Sequence, residues 1–212
     1  MALSGFFLMI FLLQHLTINL LSVISSDLFN QASHFMGTNP LVQFILQPIL
    51  IGGLVFHLIM GMVLDYQNRK STETNYYYNK NDNSTWVSRN MIITGLMILL
   101  FICLHFYDFW FPEINTKFIK GDWTGMHHGE LRYYEELQIK FTDLWRVILY
   151  VLSFVFLSLH LQHGFQSSFQ SVGVRNTTIT PKLKKISLLY AVLVPAGFIF
   201  IALYHYIIQL TI

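Results

Sequence analysis

Five apolar runs, each about as long as a bilayer is thick, divide this chain, and histidines lie inside them. A membrane-crossing helix needs about 20 mostly apolar residues. The runs at about 3–25, 41–65, 90–111, 144–171 and 186–210 meet that length. This pattern predicts an all-α fold: one integral membrane domain, residues 1–212, built as a bundle of five transmembrane helices. Composition agrees, with 11% charged residues against about 25% in a typical soluble domain. Pro40 opens the second run, Pro112 is expected to close the third, and Pro195 is expected to kink the fifth. The first run has no basic lead and is too long for a signal-peptide core, so it is read as a retained helix.

The polar mass lies between the runs. Residues 71–84, between the second and third, are rich in Asn and Tyr. Residues 113–143, between the third and fourth, mix charges with aromatics, and 129–141 are expected to form a short interfacial helix. Residues 25–39 read as a short loop. The loops on one side hold Arg69, Lys70, Lys80, Arg89, Arg175, Lys182, Lys184 and Lys185 against three acids, whereas the other side holds five basic residues against eight acids. Basic loops stay on the cytoplasmic side, so the N-terminus is expected inside and the C-terminus outside. The net charge of +2 gives no reason to expect a nucleic-acid partner.

An ionisable side chain in the hydrocarbon core is costly and usually functional, and imidazole is the commonest side-chain metal ligand. His57 lies eight residues before Asp65, and His163 eight before Ser171. At about 1.5 Å rise per residue, both sit roughly 12 Å from the inner surface. His15 is twelve residues in from Leu3 and His105 fourteen in from Met91, which puts them roughly 18–21 Å from that surface. The histidines therefore pair by depth, His57 with His163 and His15 with His105. Two such pairs suit two bis-histidine haems, one inner and one outer. With Cys103 the sole cysteine and no CxxCH motif, such haems would be held non-covalently.

Residues three and four apart share a helix face. Gly53 and Gly61 flank His57 and would leave room for a flat macrocycle. Gly164 follows His163, Ser167 is one turn on, and Asn19 is one turn from His15. The bland reading of such small residues is helix packing. His160, one turn before His163, is an alternative ligand on nearly the same face. His205 has no evident depth partner, and His127 and His128 read as solvated. His34, beside Asn30 and Phe35 just beyond the outer pair, would offer a quinone head a hydrogen-bond donor and an aromatic wall.

These residues also carry a family resemblance. The segment Phe11-Leu12-Leu13-Gln14-His15-Leu16-Thr17-Ile18-Asn19-Leu20 resembles the first helix of the single-chain cytochrome b subunit of succinate dehydrogenase and fumarate reductase. So do Asn39-Pro40-Leu41-Val42-Gln43, leading to Phe56-His57 and Gln67-Asn68-Arg69-Lys70, and Ser88-Arg89-Asn90-Met91, leading to Leu104-His105-Phe106-Tyr107-Asp108-Phe109-Trp110. The pieces His160-Leu161-Gln162-His163-Gly164-Phe165-Gln166-Ser167 and Pro195-Ala196-Gly197-Phe198 are similar to the fourth and fifth helices. No piece is specific alone; together they cover essentially the whole chain.

The resemblance implies a five-helix anchor in the bacterial cytoplasmic membrane that holds two haems b on the four histidines. It implies two partners on the inner face, a flavoprotein with FAD that oxidises succinate and an iron–sulfur protein. It also implies menaquinone as electron acceptor near the outer haem. Arg89 and Arg175 stand where haem propionates need cations, although positive-inside topology explains them equally. Two departures are evident: Met1 opens almost directly into the first run, where the family has a polar segment, and Leu161 stands where some fumarate-reducing relatives carry a membrane glutamate. The rival readings are a quinone-linked cytochrome b of another complex and a transporter with a histidine proton relay. The latter would want charged residues at the helix centres or paired broken helices, and the sequence has neither.

Overall fold

The computed structural model describes residues 1–71, 91–127, 129–174, 176–177 and 179–211. Arg89, Arg175, His128 and most of the polar segment 71–84 lie outside the described residues. Five helices are long and apolar enough to cross a membrane: Ala2–Ile24, Val42–Lys70, Met91–Ile119, Leu144–Ser171 and Ile179–Leu210. We number the helices α1 (Ala2–Ile24), α2 (Ser26–Thr38), α3 (Gln47–Ser71), α4 (Met91–His105), α5 (Tyr133–Lys140), α6 (Leu144–Ser171) and α7 (Ile179–Leu210). A π turn, Val42–Leu46, leads into α3.

Helix α4 does not stop at Pro112. It runs on through a π turn (Phe106–Trp110), one helical turn (Phe111–Ile114) and a second π turn (Asn115–Ile119). The wider bond from Phe111 N–H to the Phe106 carbonyl precedes the proline, whose missing N–H falls in the first turn of the next segment, where it costs least. Helix α7 starts earlier than the apolar run, at Ile179, and carries Pro195 inside it. Residues 25–39, read as a loop, are instead helix α2. The chain breaks at Ser25 (φ −159°, ψ 128°), whose side chain accepts from Leu28 N–H as an N-cap, and Asp27 in the first turn complements the helix dipole. The expected interfacial helix is present as α5. Among the described residues the only sheet is a small hairpin, β1 (Met126–His127) with β2 (Glu130–Leu131).

Helices α1, α3, α4 and α6 pack in a ring, α1 on α3, α3 on α4, α4 on α6 and α6 on α1, and α7 covers the α1–α6 groove. The buried core lies in that groove, where Leu16, Phe154, Val194, Phe198 and Ile201 cluster. Gly197 lets α7 approach α1: a Cβ there would sit 2.9 Å from Leu16 Cδ1. The outward faces are apolar, with Leu3, Ile10 and Leu193 more than half exposed, as expected for a surface that lipid covers. Helices α2 and α5 and the hairpin all lie at the end of the bundle away from Met1, here termed the cap end.

Candidate haem and quinone sites

The ring of four helices brings two pairs of imidazoles together. Near the Met1 end, the ring opposite His57 is that of His160, with centroids 6.4 Å apart and planes at 70°. Depth alone pairs His57 with His163, whereas the ring that faces His57 is that of His160. The reason lies on α4. Thr94, fully buried, places its hydroxyl 3.2 Å from His160 Nδ1, and the His160 ring lies at ordinary contact distance from Gly95. Among the described residues, His163, one turn on, has no such hydroxyl.

The hydroxyls beside this pair favour one tautomer. Ser4 Oγ gives its hydrogen to the Met1 carbonyl at 2.7 Å, so in its 3.1 Å contact with His57 Nδ1 it accepts. Thr94 Oγ1 likewise donates to the Met91 carbonyl at 2.9 Å, so it accepts from His160 Nδ1–H. With the hydroxyls donating to the carbonyls, the favoured tautomer of both imidazoles has the proton on Nδ1 and the lone pair on Nε2. A metal-bound histidine has this tautomer, with the second ring nitrogen held by a neighbour. At a metal–imidazole distance of about 2 Å, two rings on opposite sides of one ion have centroids roughly 6 Å apart.

Further toward the cap end, His15 and His105 stand with centroids 5.7 Å apart and planes at 84°. Aromatic rings surround them: Phe11 stacks on His15, Phe198 lies beside it, and Phe101, Phe109 and Tyr150 pack on His105. The Asn19 amide donates to the His15 carbonyl at 2.8 Å and reaches its ring nitrogens only at 3.5 Å. His105 Nδ1 is buried with no hydrogen-bond partner. Such an orphan departs from the inner pair, whose Nδ1 atoms each have a hydroxyl beside them. The two nitrogen pairs and the aromatic walls fit two b-type haems. Among the described residues no group of three or more His, Cys, Asp or Glu gathers to hold a bare metal ion, whereas a haem needs only two. Gly53, read as space for a macrocycle, faces the Phe7 ring instead (3.1 Å from a built Cβ).

At the cap end the expected quinone residues divide. Asn30 Oδ1 is occupied by Tyr134 N–H at 2.8 Å, and Phe35 is 58% exposed. His34 faces Tyr133, with centroids 6.2 Å apart, and His34 Nδ1 and the Tyr133 hydroxyl are both buried without partners. Two glycines admit them. A Cβ on Gly125 (φ +64°) would lie 2.6 Å from Tyr133 Oη and 2.9 Å from His34 Nδ1, and one on Gly37 would lie 3.2 Å from Tyr133 Oη. Gly125 is thus required twice, for its left-handed backbone and for its missing side chain.

Behind them is a buried charge network that the sequence did not reveal. Lys117, 1% exposed, pairs with Glu113 at 2.6 Å and donates to the Gly37 carbonyl. Arg132 bonds Glu113 and, at 2.6 Å, Glu136. Burial and the nearby Glu113 carboxylate push the Tyr133 hydroxyl up to about 12. Burial lowers the Arg132 value, but its hydrogen bonds to Glu113 and Glu136 outweigh that and hold it above the ordinary guanidinium value. His205, fully buried, contacts Ser22 through Nε2 at 2.8 Å.

Fold and site together describe a multi-pass helical membrane protein with two facing histidine pairs. Over 99 residues, the chain is 28% identical to the succinate dehydrogenase cytochrome b558 subunit of Bacillus subtilis (strain 168). The match takes in 47% of this chain and 46% of that relative, less of the chain than the resemblance in the sequence covers. No family model and no solved structure matches.

Proposed function

We propose that this chain is the membrane-anchor cytochrome b of a succinate:menaquinone oxidoreductase of the succinate dehydrogenase/fumarate reductase type. Its axial ligands would be His57 and His160 for an inner haem b, and His15 and His105 for an outer one. The observation that carries this reading is the facing His57–His160 pair, in which a hydroxyl beside each Nδ1 favours the tautomer that leaves Nε2 unprotonated. The name of the Bacillus subtilis relative supports it. The haems, when bound, supply one-electron relay chemistry between an iron–sulfur partner and quinone; succinate oxidation would belong to a flavoprotein partner carrying FAD.

The chain's own residues have separable roles. Ser4 and Thr94 orient the inner imidazoles and raise their basicity. Phe11, Phe101, Phe109 and Phe198 exclude water from the outer pair. Tyr133 O–H and His34 N–H, which Gly37 and Gly125 let pack side by side, would donate to a carbonyl oxygen of menaquinone once they turn toward it. Quinone takes up two electrons and two protons to become quinol, and the protons enter from the cap end, the outside of the membrane in the N-terminus-inside orientation. Electron delivery to that end moves negative charge toward the positive side, so the membrane potential favours otherwise uphill oxidation of succinate by low-potential menaquinone. An uncoupler is therefore expected to inhibit succinate-to-menaquinone electron flow in intact cells; insensitivity excludes this coupling.

The deciding experiment is a reduced-minus-oxidised spectrum of the purified protein, with haem quantified as the pyridine haemochrome. Two b haems per chain are expected. Absence of haem from assembled protein removes the cytochrome reading and leaves the transporter or a haem-free anchor. Partners that co-purify with the haem protein separate this complex from another quinone-linked cytochrome b.

A further inference from the structure

One turn beyond His105, at the π turn Phe106–Trp110, Asp108 is a carboxylate only 1% exposed. Its Oδ2 accepts from the Tyr150 hydroxyl at 2.9 Å and lies 3.2 Å from Arg146 Nε. Lys140 Nζ stands 3.9 Å from Oδ1, an oxygen with no hydrogen-bond partner. The environments of the two signs differ: the side chains of Arg146 and Lys140 are 24% and 26% exposed, and that of Asp108 is closed to solvent. Water and salt screen the cations more than the carboxylate, so the negative charge acts most strongly into the bundle. The residue that fixes Asp108 also touches the ligand candidate, since the Tyr150 ring meets His105 edge-on with centroids 6.4 Å apart. A π turn inside an α-helix frequently marks a functional position, and this one, unlike the second at Asn115–Ile119, follows directly on His105.

We propose that Asp108 is a positioning residue that sets the electrochemical potential of the outer haem. Its buried charge, aligned by Tyr150 beside His105, favours the oxidised and more positive state of the iron and so lowers the potential, and Arg146 is the counter-charge that limits the effect. The inference rests on the reading of His15 and His105 as axial ligands. It adds a residue that contacts neither iron nor quinone and that acts through charge and through the setting of His105.

The test is a spectroscopic redox titration of the assembled, purified protein, following each haem's absorption band. Asp108→Asn is expected to move the outer midpoint upward and leave the inner one in place. Arg146→Gln is expected to move the outer midpoint downward. Opposite shifts from the two halves of one ion pair mark a charge effect; a packing defect has no such sign. Shifts in one common direction, or an unchanged midpoint in Asp108→Asn with full haem content, overturn the proposal. If Asp108→Asn does not assemble, Arg146→Gln and Lys140→Gln decide: a lowered outer midpoint in both supports the proposal, and an unchanged or raised one overturns it. His105→Ala tests the underlying ligand reading separately, because retention of both haems in that variant overturns the ligand assignment and the inference with it.

Discussion

The two histidine pairs are built by different means. At the Met1 end, His57 and His160 are held by hydroxyls from two other helices, Ser4 on α1 and Thr94 on α4. Toward the cap end, His15 and His105 are held by aromatic rings, and His105 Nδ1 has no partner. The first arrangement controls the proton on the imidazole; the second controls water and charge, with one carboxylate nearby. Ring position can thus be set by a directional bond or by packing, and only the directional bond also selects the tautomer.

Ligand deletion gives the largest expected effect on this comparison. His57→Ala or His160→Ala is expected to remove one haem, and His15→Ala or His105→Ala the other, whereas His163→Ala retains both; haemochrome quantification decides, and loss of a haem in His163→Ala restores the depth-based pair. Next comes the charge network behind His34 and Tyr133. Lys117→Met strands Glu113 beside Arg132 alone, and removing one partner of a buried ion pair costs about 3–5 kcal/mol. Thermal unfolding in detergent should show the loss, and an unshifted midpoint would mean that the pair is solvated.

Third, Thr94→Val removes the acceptor for His160 Nδ1–H at nearly constant volume, and such a change beside a metal-bound histidine lowers affinity roughly 10–100-fold. Haem loss to a competing apo-haem protein should accelerate for the inner haem only. Among the described residues no comparable hydroxyl stands beside His15 or His105, so equal acceleration of both would dissolve the contrast between the pairs.

The smallest effect concerns pH. Tyr133 titrates near 12 in the folded protein against about 10 in an unfolded chain. Between those values the unfolded state has released the proton that the folded state keeps, so stability is complete below pH 10 and falls as pH rises toward 12. Tyr133→Phe is expected to flatten that alkaline limb; an identical limb in the variant would assign it to other groups.

Much of this was legible in the residues. Runs of about 20 apolar residues have few alternatives to membrane helices, because a chain in lipid must satisfy its own backbone hydrogen bonds. Depth counting puts His15 and His105 at one level because rise per residue is a local constant, and their rings do lie 5.7 Å apart. It cannot choose between His160 and His163, which are three residues apart and share a face and nearly a depth. Helix α2 was missed because its 13 residues have too little apolar periodicity to stand out, and its stability comes from the Ser25 cap and from Phe29 packed on Tyr134.

The sequence by itself determined the class of fold, the number of spans and the presence of ionisable imidazoles at two depths, all consequences of hydropathy and helix geometry along one strand of chain. Only the tertiary structure decided which histidine faces His57, which hydroxyls stand beside that pair, and that Gly37, Gly125, Tyr133 and Lys117 meet at one place. Those choices depend on hydroxyls and missing side chains contributed by helices far apart in sequence, and no local rule places them opposite one another.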